Sequence, residues 1–133
     1  MENLRRQQTE FAISRHPHRD CSYEEAQMCL EMRRDNPEII NEQCRFMRDD
    51  GFPEHFGLFE TNVMYRRNTP DNRKVAAVWW EMLHRFSRRD QLSLMYSVWK
   101  NHTAKPCAMN PQSYRNLIGD TLVRKHFQKR KKA

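Results

Sequence analysis

Glycine is scarce. Gly51, Gly57 and Gly119 are the only three in 133 residues, and they lie far apart. That excludes a glycine-rich loop that cradles phosphate through its backbone amides, of the Walker or dinucleotide type. The four cysteines (Cys21, Cys29, Cys44 and Cys107) contain no CxxC pair, and their spacing matches no common zinc module. His16, His18 and Cys21 in HPHRDC bring ligand types close together but lack a second half-site. No stretch approaches 18 apolar residues, and MENLRRQQTEF has no apolar signal-peptide core. Reduced thiols in a soluble, cytoplasmic chain are therefore expected, with no transmembrane segment. No internal repeat is visible.

What is present is a polar chain that still has a core. It is 31% charged and 38% hydrophobic with a mean hydropathy of -1.04, yet it carries three Trp, four Tyr and seven Phe. That aromatic content argues against wholesale disorder. The net charge of +7 is unevenly placed: RKHFQKRKK, residues 124–132, holds six of the 24 basic residues and no acid. Without it the body carries 18 basic against 17 acidic residues, close to neutral. The reading is one domain over residues 1–123 and a basic, solvated tail over 124–133. Nucleic acid is not expected as a partner, because a nucleic-acid domain also carries basic residues and exposed aromatics on its body. The competing reading is a small basic binding protein that uses this tail on nucleic acid or an acidic surface.

FAIS (11–14) suits a short strand. Ser22 and Glu25 have capping-box spacing and open a helix to about Arg34. Asn36-Pro37 starts a second helix, with Ile39, Gln43, Phe46 and Met47 on one face, ending at Asp50-Gly51. GFPEHFGLFE reads as a loop and Glu60–Arg66 as a strand. From Pro70, the residues Val75, Val78, Trp79, Met82, Leu83 and Phe86 follow a helical period. Another helix follows Ser87, with Leu92, Met95, Tyr96 and Trp99 on one face. Lys105-Pro106 and Asn110-Pro111 mark loops, and a last short helix is expected over Tyr114–Phe127. The fold class is α+β, dominated by helices.

Three constellations stand out. In SRRDQLSL, Ser87 and Asp90 have capping-box spacing, while Asp90 and Gln91 could also hold a polar ligand; the two readings are compatible. In Trp79-Trp80-Glu81, the helical period puts Trp79 on the core stripe and turns Trp80 about 100° away. Trp80 beside Glu81 suits either a second packing surface or a sugar, with the ring against C–H bonds and the acid on hydroxyls. The loop with His16, His18, Arg19 and Asp20 is either surface decoration or the polar wall of a pocket. His126 is a tail histidine or a ligand.

Together FAISRHPHRDCSYEEA, GFPEHFGLFETNVMYRRN, WWEMLHRFSRRDQLSL and YSVWK resemble the C-terminal half of a glycosyltransferase-like domain family, over about residues 10–100 in unbroken order. This former domain of unknown function includes plant mucilage-related and turgor-regulation-defect proteins and bacterial polysaccharide glycosyltransferases. The resemblance implies the acceptor-side part of a GT-A-like α/β domain, a nucleotide-sugar donor, a glycan acceptor and a divalent cation (Mn or Mg). It implies that Asp90 and Gln91 are catalytic, contacting the transferred sugar, and that Arg89 lines the donor–acceptor cleft. His16, Arg19, Trp80 and Glu81 match family motifs as substrate-binding candidates, and His126 is the implied metal ligand. No Asp-x-Asp metal motif occurs in the 133 residues. The expectation is a partial catalytic domain whose nucleotide-binding half lies elsewhere.

Overall fold

The computed structural model describes residues 10–109. Its elements are strand β1 (Phe11–Arg15), helices α1 (Ser22–Glu31) and α2 (Pro37–Asp49), strand β2 (Phe59–Arg66), helix α3 (Pro70–Arg85), a 3-10 turn (Asp90–Leu92), helix α4 (Leu94–Lys100) and strand β3 (Cys107–Met109). The class is α+β, as the sequence predicts. The basic run 124–132, the short helix expected over 114–127 and His126 lie outside the described residues.

The unalternating run FAIS is explained by its position. β1 is the middle strand of a β2-β1-β3 sheet, antiparallel to β2 and parallel to β3, and Phe11, Ala12, Ile13 and Ser14 are all buried. A strand covered on both faces has no solvent side on which to place polar residues. β3 was not anticipated. Three residues after Pro106 carry too little pattern to read, and only pairing with β1 makes them a strand.

α2 ends as expected, in a Schellman motif. Gly51 sits at φ 95° and donates to the Arg48 carbonyl, while Phe52 donates to that of Met47. The turn throws Phe52 into the core, where its ring lies 5.6–5.8 Å from those of Tyr23, Phe56, Tyr96 and Trp99. The segment read as a plain loop thus supplies the centre of the aromatic core. The buried face of α2 is Ile40, Gln43 and Met47, one position round from the expected Ile39 stripe. On α3, Val75, Trp79 and Met82 are buried as the period requires, with Thr69 as cap, accepting from the Asn72 amide.

Both capping boxes are replaced by longer-range contacts. Cys21, not Ser22, precedes α1, and Glu25 bonds to Arg19 instead of reaching back to the helix start. Ser87 bonds to Asp35 and Gln43, and a 3-10 turn stands where a regular helix was expected. In both places a buried box residue, Glu25 or Ser87, bonds outside its own helix start.

Candidate functional site

The pairing of β1 with β2 slips between Ile13 and Ser14: the partner on β2 jumps from Met64 to Glu60, so Thr61, Asn62 and Val63 form a bulge. Bulges re-aim side chains and are enriched beside active sites. Here Thr61 Oγ1 donates a 2.6 Å hydrogen bond to Asp90 Oδ1. The Asp90 carbonyl in turn accepts from the indole N–H of Trp79 at 3.0 Å.

The residues before Asp90 are pinned just as firmly. The Ser87 amide donates to the buried Gln43 Oε1 (3.1 Å), and the Ser87 hydroxyl donates to Asp35 Oδ2 (2.6 Å) while accepting from the Arg89 amide (3.1 Å). Asp35 Oδ2 also accepts from the Arg88 amide. These bonds hold the Asp35 carboxyl below its ordinary range, the Ser87 hydroxyl contributing most. Asp90 is therefore positioned from α2, the α1–α2 connection, β2 and α3. Gln91 follows it, partly exposed and without a hydrogen bond among the described residues.

A second group lies on α1. Glu25 is buried and accepts from Arg19 Nε at 2.6 Å, with His16 Nε2 at 3.6 Å. His16 Nδ1 accepts from the amides of His18 and Arg19, and Nε2 lies 3.4 Å from Arg19 Nη2 and 3.6 Å from Glu25. Burial lowers the His16 pKa, opposed by Glu25. Cys29, one turn beyond Glu25 on the same helix face, has its thiol pKa raised, first by burial and next by Glu25, while the positive charge of Arg89 opposes both. The structure gathers His16 and Arg19 around Glu25, and separately fixes Asp90 through Thr61; α1 packs against the 3-10 turn that begins at Asp90.

Trp80 and Glu81 lie elsewhere. Trp80 is 65% exposed, its ring 4.4 Å from that of His84. Glu81 lines a separate cleft of about 530 Å³ with Asp50, His84, Tyr96 and Lys100. Neither residue has a hydrogen bond or ring contact to the Asp90 group.

The loop after β1 forms one wall of a smaller cleft of about 270 Å³, where His16, Arg19 and Asp20 face His55 and Lys105. His18, from the same loop, is exposed and takes no part in this lining. Asp20, Glu24 and His55 are the group of three ligating side chains among the described residues, their ligand atoms within 4.8 Å of one another, and all are exposed. The fit to Mn or Mg is poor, since these hard ions prefer oxygen donors. His55 Nδ1 already shares a 2.6 Å bond with Asp20, and that bond raises the His55 pKa, so a proton holds the place a cation would take. Asp90 belongs to no such group. The implied cation does not fit the described residues.

The two histidines should titrate on opposite sides of the ordinary value of 6.5. For His55 the folded value is raised, so the ion pair contributes fully below pH 6.5 and is lost as pH rises through the raised value. Asp20's lowered pKa closes that window on the acid side. For His16 the folded value is lowered, so stability falls as pH drops below 6.5. Imidazole NMR titration should show both midpoints, and Asp20→Asn should bring His55 down without moving His16. Coincident midpoints would contradict the geometry.

Glu25, Thr61, Asp35 and His55 escaped the sequence reading as site-forming residues. Glu25 carried a signal, a carboxylate six residues after Arg19 on a helix's buried face; the others depend on contacts 29 or more residues apart in sequence.

No curated protein and no solved structure matches the chain. The model of one family does, from residue 1 to residue 125, spanning the Asp90 region, the α1 group and both clefts. On that match the chain belongs to the TOD1/MUCI70, glycosyltransferase-like domain family.

Proposed function

We propose that the chain serves in glycosyl transfer from a nucleotide-sugar donor to a glycan acceptor, with Asp90 and Gln91 holding the transferred sugar. The supporting observation is a carboxylate fixed on one side and free on the other. Asp90 Oδ1 is taken by Thr61, while Oδ2 makes no hydrogen bond among the described residues. A sugar hydroxyl donating to Oδ2 would form a charge-assisted bond, the stronger kind. The adjacent Gln91 amide offers a donor and an acceptor to a neighbouring hydroxyl. Because backbone and side chain are both pinned, little ordering cost remains when the sugar arrives, and the carboxylate can act by positioning and electrostatics. Arg89, held beside α1, adds positive charge near the departing diphosphate. A divalent cation on that diphosphate would take its ligands from outside the described residues.

Saturation-transfer NMR with a panel of nucleotide sugars and short oligosaccharides tests this reading. Sugar protons of at least one donor should receive saturation from the protein, and Gln91→Ala should weaken that transfer. A panel in which no sugar is saturated would reject the assignment.

A further inference from the structure

At the far end of β2 from Thr61 is a different concavity. It is an open cleft of about 300 Å³ lined by Arg66, Arg67, Asn68, Asn72, Arg73 and Ala76. Three exposed arginines and two asparagines share this lining, and no carboxylate belongs to it. Asp71, the acid in the first turn of α3, is not part of the lining. Among the described residues none of the three arginines is ion-paired. Like charges crowded without a counter-charge repel. A fold that keeps three of them around one cavity is suited to an anion supplied from outside.

The frame is rigid. Asn72 Nδ2 donates to the carbonyls of Glu10 and Arg67, both at 2.9 Å, and the Arg67 amide donates to Glu10 O at 2.8 Å. These bonds tie the start of β1, the end of β2 and the first turn of α3 together. Arg73 Nη1 donates to Asn68 Oδ1 at 2.9 Å, which ties one guanidinium to the lining. Guanidinium forks match the oxygen pairs of a phosphoryl group, with two parallel hydrogen bonds per fork. The volume is at the lower end for small-molecule sites, about 300–1,000 Å³.

We propose that this cavity is a binding site for the phosphoryl group of a small phosphorylated ligand. Four residues of β2 separate Thr61 from Arg66, a span of at most about 16 Å at about 3.3 Å per step. The site is therefore separate from the Asp90 region and does not rest on the sugar-transfer reading. Two sources of phosphoryl group suit it: a nucleoside diphosphate and a phosphorylated sugar.

The test is calorimetric titration of the full chain with inorganic pyrophosphate at about 0.15 M salt, followed by uridine diphosphate and glucose 6-phosphate. Wild-type protein should bind pyrophosphate, and each of Arg66→Gln, Arg67→Gln and Arg73→Gln should weaken binding about tenfold, the loss of a charged hydrogen-bond partner. Tighter binding of uridine diphosphate than of glucose 6-phosphate names the nucleotide as the source; the reverse order names the sugar phosphate. The basic tail also attracts anions, so the triple variant is decisive. If Arg66→Gln/Arg67→Gln/Arg73→Gln binds pyrophosphate as the wild type does, or the wild type does not bind it, the proposal is overturned. Asp90→Asn should leave this affinity unchanged; a matching loss there would also overturn it, by placing the anion at the Asp90 region.

Discussion

Asp90→Asn is expected to lower sugar transfer by about 10²–10³-fold, the range for removing one preorganised electrostatic group from a transfer site, while leaving the melting temperature almost unmoved. Asparagine keeps the size of the side chain and an oxygen that can still accept from Thr61 Oγ1, so the 2.6 Å structural bond survives in kind. What disappears is the charge that Oδ2 offers a sugar hydroxyl. Thr61→Val should give an intermediate loss of transfer by freeing the Asp90 rotamer, and Thr61→Ser should restore it. Ser87→Ala is the stability control: it removes the hydroxyl shared between Asp35 and the Arg89 amide and should cost about 1–3 kcal/mol, leaving Asp35 short of a donor. Turnover and thermal melting on these variants separate the two roles. Near-normal turnover by Asp90→Asn would leave the carboxylate as nothing more than an anchor for Thr61.

Trp79→Ala should be the most damaging single change to the fold. Truncating a large core aromatic costs about 3–5 kcal/mol, and the lost indole hydrogen bond to the Asp90 carbonyl adds about 0.5–1.5 kcal/mol. Trp79 packs with Val75, Met82 and Met95 in the main core, so the cavity would open beneath the site. A domain of this size loses about 4–8 °C in melting temperature per kcal/mol, so the variant should be largely unfolded at physiological temperature. Trp79→Phe, which keeps a ring but not the N–H, should fold and lose transfer through a loosened Asp90 backbone. Trp80→Ala, on the exposed face of the same helix, should change stability by less than about 0.5 kcal/mol. Denaturant midpoints decide between these outcomes, and equal losses for Trp79→Ala and Trp80→Ala would contradict the burial pattern.

The contrast between these adjacent tryptophans was legible in the sequence, because a helical period assigns faces without knowledge of the neighbours. The same holds for β1, for the Asn36 cap and for the Gly51 turn, each a consequence of a few consecutive residues. The capping boxes failed for a related reason. A serine and an acid at the right spacing are necessary for a box, yet Glu25 and Ser87 are themselves buried and bond elsewhere, and a bond shielded from water is electrostatically stronger than one competing with it.

By itself, then, the sequence determined the class of fold, the core stripe of α3, the near-neutral body and the identity of Arg89, Asp90 and Gln91 as the residues to watch. Only the tertiary structure decided what holds them. The slip in the β1–β2 register turned Thr61 toward Asp90, the Schellman turn sent Phe52 into the core, and Glu25 on α1 drew in Arg19. It also decided that Trp80 and Glu81, adjacent in the chain, face different surroundings. The physical reason is range: periodicity and capping act within about four residues of chain, whereas a bulge or a carboxylate pinned by a threonine from another element exists only once distant segments have packed.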